Sequence, residues 1–101
     1  MAATARLDFA AVNRAALARL DDILARWLPG GAEGGEYVVR NPWRLDHQPG
    51  SFKINLRTGR WSDFAIGAKG GDPISLGAYL FGLTQLEAAK RLARMLGIPD
   101  G

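Results

Sequence analysis

The chain has 101 residues, 48% hydrophobic and 23% charged, with a formal net charge of +3; this is enough for one core rather than two domains, and too apolar for a disordered tail. No stretch reaches the roughly 20 apolar residues of a membrane span, and residues 1–7 lack the basic start and apolar run of a secretory signal, so a cytoplasmic protein away from membranes is expected. With no cysteine and one histidine, His47, the chain can form neither disulfides nor cysteine-based metal sites, and its catalytic repertoire is too thin to expect an enzyme or a cofactor.

Residues 8–28 predict one long helix. Phe9, Val12, Ala16, Leu20, Ile23 and Trp27 recur at three- and four-residue steps, and Pro29-Gly30 stops the run. This N-terminal segment, 1–29, is expected to cover a core or dock on a partner, and its wide stripe would also suit self-association. Gly30, Gly31, Gly34 and Gly35 make residues 30–35 read as a flexible connector. Three strands follow: 36–40, ending before Asn41-Pro42; 51–55, where polar and apolar residues alternate; and 60–64, joined to it by a turn at Thr58-Gly59.

The glycine-rich run 67–71 leads to Asp72-Pro73, an N-cap with proline in the first turn, and the helix it opens should end at Gly82. Thr84-Gln85-Leu86-Glu87 is a capping box. It starts a last helix with Leu86, Ala89, Leu92, Ala93 and Leu96 on its apolar face and Gly97 at its C-terminus. The expected fold class is α+β: a long N-terminal helix, a small three-stranded antiparallel sheet and two C-terminal helices, with residues 36–98 as the main module.

The positive charge is unevenly spread. Between positions 40 and 69 stand six basic residues (Arg40, Arg44, Lys53, Arg57, Arg60, Lys69) and two acidic ones (Asp46, Asp63), a local net charge of +4 against +3 for the whole chain. Clustering matters because phosphate attraction acts over about a Debye length, 10 Å or less. A solvated surface can carry the same charges without a partner.

Six short pieces in this region resemble the N-terminal zinc-binding domain of bacterial and phage DNA primases. They are Pro42-Trp43, Pro49-Gly50-Ser51-Phe52, Trp61-Ser62-Asp63-Phe64, the run from Gly67 to Asp72, Glu87-Ala88-Ala89 and Leu96-Gly97-Ile98. Aligned on that family, the four zinc-ligand positions hold Asn41, Arg44, Asp63 and Ile66. Arginine is a permanent cation and isoleucine has no donor atom, so the tetrahedral site of the family cannot form. The resemblance therefore implies a zinc-ribbon-like module without its metal, held together by packing among Trp43, Phe52, Ile54, Trp61, Phe64 and Ile66. An Asp63–Arg44 ion pair would stand where the metal was, contributing less than the rings.

In that family the domain engages single-stranded template while synthesis belongs to a separate catalytic domain. The resemblance implies an accessory DNA-binding module of a primase or primase–helicase system. The residues agree in outline: a small sheet carrying Arg40, Arg44, Lys53, Arg57, Arg60 and Lys69, with Trp61 beside them, suits backbone contact and base stacking. Trp43 and Trp61 are equally of the type that fills cores. The glycine run before the third helix could cradle a phosphate, although it lacks the order of a nucleotide-binding loop. The competing reading is a protein-interaction module docking on a replication polymerase or helicase.

Overall fold

The computed structural model describes residues 7–29, 31–39, 52–64 and 67–98, and shows an α+β fold. Its helices begin and end where local chemistry dictates. In α1 (Phe9–Ala18), the Asp8 carboxylate accepts from the Ala10 and Ala11 N–H groups at 3.0 and 3.2 Å. In α3 (Pro73–Phe81), Asp72 accepts from Ser75 N–H at 2.8 Å, and proline stands in the first turn. In α4 (Gln85–Leu96), Thr84 and Glu87 cap each other reciprocally. Gly82 and Gly97 close the last two helices, as their positions in the sequence predict.

The expected single N-terminal helix is divided. Arg19, at φ −129° and ψ 28°, separates α1 from α2 (Leu20–Trp27), with neither proline nor glycine at the break. The two halves serve different cores. Val12 and Ala16 join Ile23 against α3 and α4, whereas Leu20, Leu24 and Leu28 pack on the sheet with Leu76 and Leu80. On a straight helix Val12, Ala16 and Ile23 would fall within about 40° of one another, whereas Leu20, Leu24 and Leu28 would lie about 80–160° round from Val12, so the two sets face different ways. Most of the stripe packs inside the chain; Phe9, 37% exposed, lies at its outer end and Trp27 is half-buried.

Among the described residues the sheet has five antiparallel strands in sequential order rather than three: β1 (Ala32–Glu33), β2 (Glu36–Val39), β3 (Phe52–Asn55), β4 (Trp61–Asp63) and β5 (Ala68–Gly70). The two additional strands arise from the glycine-rich stretches. Residues 30–35 are not simply a connector, because Ala32 and Glu33 pair with Val38 and Tyr37. Short edge strands carry no side-chain pattern of their own; pairing with an already formed neighbour makes them.

One face of the sheet is buried. Tyr37, Phe52, Ile54 and Trp61 pack beneath α2 and α3, and the Tyr37 hydroxyl donates to the Leu28 carbonyl at 2.5 Å, tying β2 to the end of α2. Helix α3 lies between the two cores, with Leu76 and Leu80 in one and Ile74 in the other. Asn13 of α1 accepts from Ile74 N–H at 3.0 Å, which joins the N-terminal helix to the start of α3. In α4 the buried residues are Ala88, Ala89, Leu92 and Ala93; Leu86, expected inside, is 48% exposed. No helix among the described residues is long and apolar enough to cross a membrane.

The cap on α4 yields a pH-dependent expectation. Glu87 is held below the ordinary carboxylate value of 4.5, first by the hydrogen bond from Thr84 N–H and then by the Thr84 side chain. A lowered folded-state value contributes stability above the unfolded value, and that contribution disappears as pH falls through the folded one. Glu87→Gln should therefore melt below the parent at pH 7, and the difference should shrink as pH falls through the lowered folded-state value.

Candidate nucleic-acid interface

Strand alternation sorts β3, β4 and β5 into two faces. Phe52, Ile54, Trp61 and Asp63 point inward and are buried. Lys53 pairs with Ser62, and Ser62 with Lys69, so these three side chains form one row across the opposite face. Neighbouring strands lie about 4.8 Å apart, so the two lysines stand two strand spacings apart along the row, with Ser62 between them. Val38 of β2 extends the row, and Glu36, Asn55 and Arg60 form a second one alongside.

Phe64 stands at the end of β4 with 64% of its surface exposed, and the Lys53 Nζ lies 5.6 Å from the centre of its ring. Arg57 is exposed at the β3–β4 turn, where Asn55 Oδ1 accepts from the N–H groups of Arg57 and Thr58 at 2.9 and 3.0 Å. A shallow depression of about 490 Å³ is lined by Arg60, Trp61, Ser62, Lys69, Gly70 and Gly71. Four of the basic residues singled out in the sequence, Lys53, Arg57, Arg60 and Lys69, thus border this open face. Arg40 and Arg44 lie outside the described residues, as do Asn41 and Ile66 among the former ligand positions.

Trp61, which the sequence places both in the packing cluster and among the candidate contacts, is buried in the core. It is 6% exposed, stacks on Phe52 at 5.9 Å and on Tyr79 at 4.8 Å, and its indole N–H donates to Ser75 Oγ at 3.0 Å. Gly70 permits this approach, because a Cβ there would meet both the indole nitrogen and Ser75 Oγ. Phe64 is corrected from core to surface. Residues 61 and 64 are three apart, so the two-residue period of a strand puts them on opposite faces. Pairing Trp61 with buried Ile54 then decides which one goes in.

Asp63 is fully buried, and the Tyr79 hydroxyl donates to its Oδ2 at 2.7 Å. The Asp63–Arg44 ion pair suggested by the alignment lies outside the described residues on the arginine side. No group of three His, Cys, Asp or Glu side chains comes together as a metal site among the described residues. The glycine run is a strand rather than a phosphate cradle, and the first-turn amides of α3 are occupied: Asn13 takes Ile74 N–H and Asp72 takes Ser75 N–H.

Comparison of the chain with protein-family models and with curated proteins returns no match.

Proposed function

We propose that this chain is a cytoplasmic accessory module that holds single-stranded nucleic acid, as part of or partner to a DNA primase or primase–helicase system, without catalysing synthesis. The observation that carries the reading is the row Lys53–Ser62–Lys69 on an open sheet face beside an exposed aromatic ring, Phe64. Single-strand binders combine cations that track the backbone with rings on which bases stack, and an unpaired base can reach a flat sheet that a duplex cannot lie against as closely. The resemblance to the primase domain supplies the biological setting.

Fluorescence anisotropy with labelled oligothymidylate tests it directly. Each neutralised phosphate on a single strand contributes about −0.7 to the slope of log affinity against log salt. Contacts from Lys53, Arg57, Arg60 and Lys69 together predict a slope near about −3. Absence of binding at low salt would end the reading. The second reading, docking on a replication polymerase or helicase, is favoured by one feature, an apolar groove on the helical side of the molecule.

A further inference from the structure

The depression on the open sheet face brings together one guanidinium, one ammonium and one hydroxyl. Lys69 is opposite Ser62 across the β4–β5 ladder, and Arg60 is the next outward residue along β4, about 7 Å from Ser62. Both cations are exposed. Gly71 supplies the room: a Cβ there would meet nothing within 4 Å, and a bare backbone lets a ligand approach the main chain. Lys53 is not part of this lining, because its Nζ lies 5.6 Å from the centre of the Phe64 ring instead.

Two acids stand near enough to weigh against these charges. Asp72 follows Gly71, but its Oδ1 accepts from Ser75 N–H at 2.8 Å as the cap of α3. Glu36 shares the row of Arg60 with Asn55 between them, two strand spacings or about 10 Å away, which is about a Debye length. Among the described residues no carboxylate lines the depression. An internal phosphodiester carries a single negative charge. Phosphate at the end of a strand is a monoester, with three free oxygens and a charge of about −1.5 to −2 at pH 7. Two cations of different shape match the monoester: the guanidinium takes two oxygens through parallel N–H donors, and the ammonium takes the third as a point charge.

We propose that this depression holds the terminal phosphate of a single strand, while Phe64 stacks the base of the same nucleotide. Phe64 follows Ser62 by two residues, about 7 Å along the chain, a separation that one nucleotide spans from phosphate to base. Lys53, held beside that ring, is left for the next phosphodiester. The proposal rests on the sheet-face reading and narrows its ligand from any single strand to a phosphorylated strand end.

The test is competition for the full chain against a labelled oligothymidylate. The unlabelled competitors have equal length and carry a 5′-phosphate, a 3′-phosphate or hydroxyls at both ends. At least one phosphorylated strand should compete about tenfold better than the hydroxyl-ended one. That advantage should shrink as pH falls from about 7 to about 5, because the monoester takes up its second proton near about pH 6. Gly71→Leu should remove the advantage by filling the depression, with the melting temperature within a few degrees of the parent, since φ at Gly71 is not left-handed. Arg60→Gln should reduce the advantage to about twofold by removing the paired donors. Lys53→Ala should weaken all three competitors alike and keep it. Equal competition by the three strands overturns the proposal and leaves the sheet-face reading standing, whereas failure of the labelled strand to bind overturns both. A short phosphoserine peptide that competes as well as the phosphorylated strand also overturns the proposal, because the site would then read a monoester without its nucleotide.

Discussion

Replacing Trp61 by alanine is expected to lower the melting temperature by on the order of 20 °C. Truncating a buried Trp costs about 3–5 kcal/mol, and each kcal/mol moves the transition of a domain this size by about 4–8 °C. Here the ring packs against both Phe52 and Tyr79, at 5.9 and 4.8 Å, and those two rings touch each other at 6.0 Å, so its removal opens a cavity beside an aromatic pair. It also removes the donor to Ser75 Oγ. Ser75 keeps its own bonds to Asp72, donating to the carbonyl at 2.8 Å. Trp61→Phe, which keeps most of the packing, should therefore cost only about 1 kcal/mol for the lost hydrogen bond plus a smaller packing loss. Against a total stability of about 5–15 kcal/mol, the alanine variant is near the edge of folding and the phenylalanine variant is not. Thermal melts followed by circular dichroism decide it; an alanine variant melting within a few degrees of the parent would mean that the ring does not hold the core.

The triple substitution Lys53→Ala, Phe64→Ala, Lys69→Ala should do the opposite, leaving the fold intact and abolishing most binding to single strands. Lys69 and Phe64 are exposed and Lys53 is half-buried, and all three leave the buried face of the sheet untouched. Surface changes of this kind usually stay within about 0.5 kcal/mol each. Binding has more to lose: a stacked base contributes about 1–3 kcal/mol, and two absent lysines should reduce the salt slope by about 1.4. Together these predict an affinity loss on the order of 100-fold at low salt. Trp61→Phe provides the counterpart: a ring 6% exposed offers little surface for stacking, so its replacement should leave affinity within about twofold of the parent. Equal loss from Trp61→Phe and from the triple variant would show that the exposed face is not where nucleic acid binds.

The contrast between positions 61 and 64 also shows how far the sequence could be read. Both residues are aromatic, both sit in the same short segment, and composition gives them the same expectation. Strand parity separates them, and the pairing of β3 with β4 then assigns the faces. Lys53 was legible because its own neighbours, Phe52 and Ile54, fix the side on which it must stand. Ser62 and Lys69 were not legible as its companions, since their alignment with Lys53 is a property of register across strands rather than of any one segment.

By itself the sequence determined the features whose causes lie within three or four residues. Asp8, Asp72 and the Thr84–Glu87 pair start three of the helices, and Gly82 and Gly97 end two, because a cap is a bond between a side chain and amides one turn away. Tertiary structure alone decided the break at Arg19, the edge strands β1 and β5, the exposure of Phe64 and the groove over Gly77 and Ala88. Each of these depends on what another part of the chain presents: two cores competing for one helix, a neighbouring strand with open hydrogen-bonding groups, a register, or two small residues brought together by packing. Local chemistry punctuates the chain, whereas the surfaces available for function are set by contacts between residues far apart in it.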